Sequence, residues 1–256
     1  MLKNKSNIII STRPFYEKDN ISETLIKNGL IVINSPLIKI VKSENFAEKN
    51  EVINNINYYN NIIFTSKNGV SYFFKFLEEN NKTDLMKNNF KFFVIGDSTA
   101  SELNNYGHTP YYICKKNTSD DFIEELLTLD EITNKKNLFV AGNLSSEKII
   151  EKLSDISEIK RLTVYETVKI QEFTKESFCY IKEDNYFLII FTSPSAIESF
   201  INIIEKENIQ SNFRIACIGK TTANKAIEKG LTPILISKNS NGVEFANEIL
   251  NYYSAK

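Results

Sequence analysis

From residue 137 onward, short and almost unbroken apolar runs alternate with longer stretches in which apolar residues return every three or four positions. The runs "NLFVAG", "YFLIIFTS", "FRIACIG" and "PILIS" read as buried strands. The stretches "SSEKIIEKL", "PSAIESFINIIEK" and "KTTANKAIEKG" read as amphipathic helices, and "GVEFANEILNYY" closes the chain as another. Strands too continuously apolar to have a wet face imply sheets covered on both sides, and their alternation with helices implies parallel pairing. The expected fold class is α/β, with doubly wound parallel sheets.

The pattern is spelled twice. "IIFTS" at 62 recurs at 189, 127 positions on. "VIGDSTA" at 94 recurs as "CIGKTTA" at 217, and "YGHTP" at 106 as "KGLTP" at 229, both after 123 positions. "NIII" at 7 faces "NLFV" at 137, and "IVINSPLIKI" at 31 faces "RLTVYETVKI" at 161, both after 130. Order is kept while the offset drifts by a few residues, as small loop deletions produce, so the chain is a tandem repeat of two units.

Two segments depart from the buried-strand pattern. "SPLIKIVK" (35–42) and "RLTVYETVK" (161–169) alternate apolar and polar residues, as half-exposed strands do. Paired as a two-stranded linker ladder, they would carry the chain across once in each direction. The domains would then be 1–34 plus 172–256 and 43–160, with 35–42 and 161–171 as the linker. A simpler cut in the polar stretch near 129–136 stays open on this reading.

Composition narrows the partners. A length of 256 residues fits two modest domains, and 42% apolar with 25% charged residues is enough to build real cores. A formal net charge of -1 points away from nucleic acid and from acidic membrane surfaces, so an anionic ligand would have to be held locally. Arginine occurs only at Arg13, Arg161 and Arg214, each close to a motif, and a guanidinium fork suits carboxylates. "MLKNKSNIII" turns polar too soon for a signal peptide, and no apolar run is long enough for a membrane span. Cys114, Cys179 and Cys217, at unrelated spacings, read as reduced thiols of a cytoplasmic protein. His108, the single histidine, lies in a turn beyond a helix, which leaves little for a histidine triad or histidine-rich metal site.

Candidate chemistry sits where strands run out, because ligands of parallel sheets bind beyond the carboxyl ends of the strands and helix N-termini favour anions. Four turns have this form: "FTSKNGV", "IGDSTAS", "FTSPSAI" and "IGKTTAN". They carry Thr65, Ser66, Ser98, Thr99, Thr192, Ser193, Thr221 and Thr222. Serine and threonine are also ordinary helix caps, but four such turns in a duplicated frame point to a shared anion site. "IGKTT" is not a nucleotide P-loop: Arg214 stands where the first glycine is needed, and the sister turn has Asp97 in place of the lysine. No G-x-G-x-x-G follows a strand, so dinucleotide binding is unsupported.

In "STRP" (11–14), "IIFTSKNGV", "VIGDSTA", "AGNLSSE" (141–147), "LTVYET" (162–167), "IIFTSPSAIESF" and "IGKTTA", taken in order, the chain resembles the uroporphyrinogen-III synthase family over nearly its whole length. The resemblance implies two α/β domains joined by a two-stranded linker, the first built from both chain ends, and a reaction without metal or cofactor. It implies a small-molecule substrate, the linear tetrapyrrole hydroxymethylbilane. Ring A loses its hydroxyl as water, ring D attacks the resulting azafulvene cation at its substituted carbon, and a spiro intermediate rearranges so that ring D ends inverted.

By the same resemblance, Tyr165 in "TVYET" matches a tyrosine that would help the hydroxyl leave, a step open to a phenol at neutral pH. Thr99, Thr222 and Ser193 match ligand-facing turns, and Arg13 matches the arginine of the N-terminal "TRP". With Thr65, Ser66, Ser98, Asn143, Lys220 and Thr221 they make up the expected carboxylate-binding set. Lys67 and Asn68 depart from the family's first "FTS" turn, where proline is common. The expected actor is a cytoplasmic monomer that binds neither nucleic acid nor membrane and catalyses by positioning. The alternative is a cytosolic two-lobed small-molecule binding or sensor protein. An export signal or a basic DNA-reading helix would favour it, and the residues show neither.

Overall fold

The computed structural model describes residues 6–14, 19–87, 90–114, 119–239 and 241–255. Its contacts form two compact units, one of Met1–Lys39 with Val168–Lys256 and the other of Ile40–Thr167.

The first unit opens with β1 (Ile8–Ser11), α1 (Asn20–Lys27) and β2 (Ile31–Asn34), and β3 (Ile38–Lys42) carries the chain onward. The second unit contains α2 (Phe46–Asn54), β4 (Asn61–Phe64), α3 (Lys67–Glu79), β5 (Lys91–Ile95), α4 (Gly96–Asn105) and β6 (Tyr112–Cys114). It continues through α5 (Ser119–Leu126), β7 (Lys136–Gly142), α6 (Lys148–Leu153) and β8 (Glu158–Lys169). The chain then returns to the first unit for α7 (Lys175–Lys182), β9 (Leu188–Phe191), α8 (Pro194–Lys206), β10 (Ile215–Cys217), α9 (Lys220–Glu228), β11 (Pro233–Ile236) and α10 (Gly242–Ser254).

One sheet runs β11-β10-β9-β1-β2 and the other β3-β8-β7-β4-β5-β6. Within the first sheet every neighbouring pair is parallel, and so are β8–β7, β7–β4, β4–β5 and β5–β6 in the second. Strands β1, β2, β9, β10 and β11 hold the places in one sheet that β7, β8, β4, β5 and β6 hold in the other. This is the correspondence of the repeated motifs, so the duplication read in the letters is a duplication of topology.

Both sheets are covered on both faces, as the continuous apolar strands require. Ile8 and Ile10 of β1 enter one core with Ile189 and Phe191 of β9. Ile9, Leu188 and Ile190, pointing the other way, enter a second core with Phe245 and Ile249 of α10. In the other sheet Ile62 and Phe64 pack with Leu138 and Val140 beneath α3. Ile63, Phe139 and Ala141 pack on the opposite face with Phe122 and Leu126 of α5.

β3 and β8 are neighbours at the edge of the second sheet, and the chain passes between the units in them. Their alternation of burial is only local. Ser35, Leu37 and Ile38 are buried, whereas Lys39 and Lys42 are exposed. β8 alternates from Glu158 to Val164 and then breaks step, because Val164 and Tyr165 are both buried.

Candidate functional site

In the second sheet the chain order reverses between β7 and β4, where a doubly wound sheet leaves a crevice beyond the strand ends. A cavity of about 370 Å³ lies there, with Thr65 and Ser66 from the turn after β4, Leu144, Ser145 and Ser146 from the loop after β7, and Tyr165 from β8.

Ser66 is the N-cap of α3; its backbone is extended at φ -156 and its Oγ accepts from the Gly69 N–H at 3.1 Å. Gly69 lets the helix approach β7, since a Cβ there would stand 3.2 Å from the Val140 carbonyl oxygen.

The position of Tyr165 depends on a bulge. Ala141 pairs with Thr163, but Gly142 pairs with Tyr165, so β8 carries one extra residue, Val164. In a regular strand successive side chains take opposite faces. The bulge instead lets Leu162, Val164 and Tyr165 share one core, re-aiming the tyrosine at the strand's end. Its ring lies 5.8 Å from that of Tyr72, whose hydroxyl donates to the Ile40 carbonyl at 3.0 Å and whose pKa burial raises. Tyr165 is 9% exposed, and its hydroxyl stands 3.2 Å from Ser66 Oγ.

Gly142 makes room for that ring, because any Cβ there would lie 2.3 Å from Tyr165 Cζ. The loop beyond it is fastened throughout. Arg161 donates through Nη2 to the Gly142 carbonyl at 2.5 Å and through Nη1 to the Ser145 carbonyl at 3.3 Å, and it pairs with Glu147. Ser145 Oγ accepts from the Gly142 N–H at 3.2 Å. Asn143 donates its N–H to the Tyr165 carbonyl at 3.1 Å, and its Oδ1 accepts from the Thr167 N–H at 2.8 Å. Thus Asn143 continues the β7–β8 ladder through its side chain, and Thr65, Ser66 and Tyr165 converge on the cavity.

The turn after β5 is built differently. α4 starts at Gly96 (φ 70) without a side-chain cap, which puts Ser98 and Thr99 inside its first turn. Ser98 is exposed, but Thr99 is buried with Gly96, Ala100 and Leu103 on the packed side of the helix. The matching turn in the first unit repeats this. α9 starts at Lys220 with no side-chain cap on Gly219; Lys220 and Thr221 are exposed, while Thr222 is buried with Ala223 and Ala226. The helical period therefore turns Thr99 and Thr222 inward and leaves their neighbours outward.

Elsewhere in the first unit, Ser193 caps α8, its Oγ accepting from the Ala196 N–H at 3.3 Å, and lies 3.2 Å from Ser195 Oγ. Arg13 pairs with Asp19 at 2.5 Å, and Asp19 also accepts from the Ile21 N–H and the Ser22 hydroxyl at the start of α1. The other two arginines also meet carboxylates of the chain itself. Arg161 binds loop carbonyls and Glu147, and Arg214 holds Asp184 and the Tyr186 carbonyl at the starting ends of β9 and β10. Gly142, Arg161, Leu144, Ser145 and Ser146 were absent from the expected set. The available signal was a glycine ending a strand beside the tyrosine-bearing strand, with one of only three arginines between them in sequence.

His108 lies away from this cavity, 5.1 Å from the Phe74 ring and 5.3 Å from that of Phe92, with its pKa lowered by burial. A larger hollow, about 690 Å³, opens beside Asn60, Asn61 and Lys91, where β4 and β5 begin. At that end of a parallel sheet no helix N-termini converge, so it lacks the anion-favouring geometry. Among the described residues no cluster of three His, Cys, Asp or Glu side chains could hold a metal, and no helix is long and apolar enough to cross a membrane.

Residues 19–242 match the family described as "Uroporphyrinogen-III synthase HemD". A curated relative, "Porphyrin biosynthesis protein HemD" of Ruminiclostridium josui, is 26% identical over 237 residues, 91% of this chain but 46% of that protein. The chain thus spans about half the length of that relative. Two solved structures share the fold. A mutant uroporphyrinogen III synthase of Thermus thermophilus superposes with a TM-score of 0.67 at 12% identity, covering 97% of this chain and 99% of that one. The uroporphyrinogen-III synthetase of Helicobacter pylori gives 0.63 at 18% identity, covering 95% and 98%. That match runs from the cap of α1 to the start of α10, taking in every strand but β1 together with the residues of the Tyr165 cavity, and on it the chain belongs to the uroporphyrinogen-III synthase family.

Proposed function

We propose that this protein closes hydroxymethylbilane to uroporphyrinogen III, inverting ring D and releasing one water. The family is one of cyclising lyases of tetrapyrrole biosynthesis. The observation that carries the reading for this chain is the Tyr165 hydroxyl, brought by a bulge to a cavity lined with serine and threonine hydroxyls beyond the strand ends.

Ser66 Oγ accepts from the Gly69 N–H, so the serine's own proton is free to point at the Tyr165 oxygen, and the tyrosine proton is then free for a ligand. At 3.2 Å the Ser66–Tyr165 contact is long for a hydroxyl pair, and a bound hydroxyl can displace it. In the reaction the carbon–oxygen bond of the hydroxymethyl group breaks with its electron pair on oxygen. That oxygen takes the Tyr165 proton and leaves as water, while the ring A nitrogen delocalises the cation. Ring D attacks through its substituted carbon to give a spiro intermediate; the bond from that carbon to the ring C bridge breaks, the bridge carbon bonds to the unsubstituted α-carbon of ring D, and the proton lost there on re-aromatisation returns to the phenolate.

Spontaneous closure without inversion competes, so the enzyme's contribution is to hold ring D in the rarer orientation. Thr65, Ser66 and Ser98 would receive substrate carboxylates in the second unit, and Ser193, Lys220 and Thr221 in the first. Arg13 would do so by exchanging Asp19 for a substrate carboxylate, and Asn143 through its amide nitrogen. Thr99 and Thr222 would act from inside the first turns, by holding the backbone N–H groups in place. The proposed actor is a cytoplasmic monomer needing no metal or cofactor.

The test is to supply purified protein with hydroxymethylbilane, oxidise the products and measure the ratio of type III to type I uroporphyrin. Type III in excess of an enzyme-free blank is the expected outcome. Type I alone, at the rate of the blank, would leave only a binding protein.

A further inference from the structure

The cavity beside Tyr165 is lined by groups of two kinds. Thr65, Ser66, Ser145, Ser146 and the tyrosine hydroxyl are polar, whereas Ile123, Phe139, Ile149 and Leu144 present hydrocarbon. Ile149 and Phe139 belong to a buried core and would be apolar in any case. Leu144 does not: it is 59% exposed, the highest value among the large exposed apolar side chains described.

The loop that carries it is no loose surface turn. Arg161 grips the carbonyls of Gly142 and Ser145 and the carboxylate of Glu147, Ser145 closes the turn on Gly142, and Asn143 fastens both its backbone and its side chain to β8. The planar guanidinium, with its donors in a fixed fork, can meet several acceptors at once, which a lysine ammonium on a flexible stem cannot do in the same geometry. A backbone so constrained limits the directions open to the side chain it carries, and that side chain is an exposed leucine among the residues lining the cavity.

We propose that Leu144 is a specificity-determining residue and that Arg161 is the positioning residue behind it. Leu144 supplies the apolar surface on which the face of one pyrrole ring rests while the ring's polar substituents turn to the serine and threonine hydroxyls and Tyr165. The chemistry recognised is a flat, apolar ring with carboxylate arms, which matches a cavity lined by both hydrocarbon and hydroxyl groups. Leu144 also excludes water from the ring face during the cationic step, when water would otherwise capture the carbocation. Arg161 touches no substrate; it acts by holding residues 142–147 in the shape that presents Leu144.

This role rests on the synthase reading above, and the experiment separates the two. Wild type, Leu144→Ser, Leu144→Met and Arg161→Lys are given hydroxymethylbilane, and the type III to type I ratio, kcat, KM and thermal midpoint are measured for each. Because Leu144 is exposed, its variants are expected to fold with an unchanged midpoint. Loss of a hydrophobic contact of this size changes selectivity by about 10- to 100-fold. Leu144→Ser should therefore lower the isomer ratio by about that factor, Leu144→Met should restore most of it, and Arg161→Lys should shift the ratio in the same direction as the serine variant. A wild-type ratio in Leu144→Ser, with wild type itself making type III, overturns the role of Leu144 alone. Wild type making only type I at the blank rate overturns the activity, and this role with it.

Discussion

The ring of Tyr165 occupies the space that a side chain on Gly142 would fill: a Cβ built there would come within 2.3 Å of the tyrosine Cζ and 2.8 Å of its hydroxyl oxygen. Glycine at 142 is thus a condition for the tyrosine's orientation, and the two residues pair across the β7–β8 ladder where the bulge sits.

Gly142→Ala is expected to push the ring off Ser66 and to lower turnover by about 10²-fold or more, the scale of a lost proton-transfer group. Gly107→Ala is the control. Gly107 has φ 82 and nothing within 4 Å of its would-be Cβ, so the substitution meets only left-handed backbone strain. That strain costs about 1–2 kcal/mol. Thermal melting and steady-state rates on both variants separate the effects: Gly107→Ala should melt earlier at near-normal turnover, and Gly142→Ala should lose turnover out of proportion to its melting shift.

Ser66 serves two ends, capping α3 and standing 3.2 Å from the Tyr165 hydroxyl. Ser66→Ala should cost about 1 kcal/mol of stability as a lost cap, and should slow turnover besides. Tyr165→Phe should leave the cap intact and reduce kcat by about 10²- to 10⁴-fold with a smaller change in KM. If serine orients the phenol, the double variant is no slower than Tyr165→Phe alone, and a double-mutant cycle in kcat shows strong non-additivity. Full additivity would mean that the two act separately.

The parts of this architecture that the sequence announced are those set by short-range rules. β9 and, after Asn61, β4 are buried on both faces, so their letters run apolar, and the matching "FTS" turns show Ser66 and Ser193 where caps belong. Side-chain direction beyond the turns was hidden, because it depends on where each helix or strand breaks step. The resemblance set Thr99 and Thr222 in ligand-facing turns, and α4 and α9 begin at Gly96 and Lys220 without side-chain caps, so the helical period buries both threonines on the packed sides of their helices. Tyr165 was found by resemblance, but its aim comes from the extra residue Val164 in β8, and no alternation rule signals a bulge. Arg161 was visible as a rare arginine, but its grip on the loop was not, because carbonyls converging from a turned loop leave no mark in the chain's order.

His108 offers a pH test away from the cavity. Burial between Phe74 and Phe92 lowers its pKa below the ordinary 6.5, so on acidification the unfolded chain takes up the proton first. Its contribution to stability is complete above pH 6.5 and declines as pH falls from there through the lowered folded value. His108→Phe keeps an aromatic ring in the stack and removes the titration. Denaturant midpoints at about pH 5 and about pH 7.5 should differ more for wild type than for the variant. Equal differences would show that the imidazole is as well solvated folded as unfolded.

Lys49 tests the same linkage at the alkaline end and beside the chain's passage from β3. Its side chain is almost fully buried, with Nζ donating to the Ser43 carbonyl and lying 4.5 Å from the Phe46 ring centroid and 4.9 Å from that of Phe76. Desolvation, reinforced by Lys42 and opposed by Glu79 and Glu166, lowers its pKa from 10.5. Between the lowered value and 10.5 the unfolded chain binds more protons than the folded one, so stability rises with pH across that window. At neutral pH the cost of burying the charge is present in full, offset by the two aromatic faces and the hydrogen bond. Lys49→Met keeps an unbranched side chain and removes the charge. The stability of wild type minus that of the variant should therefore increase as pH rises through the lowered value toward 10.5, the contributions of the tyrosines and the other lysines cancelling in the difference. A difference that stays flat would mean that the two aromatic rings and the Ser43 carbonyl solvate the ammonium as well as water does.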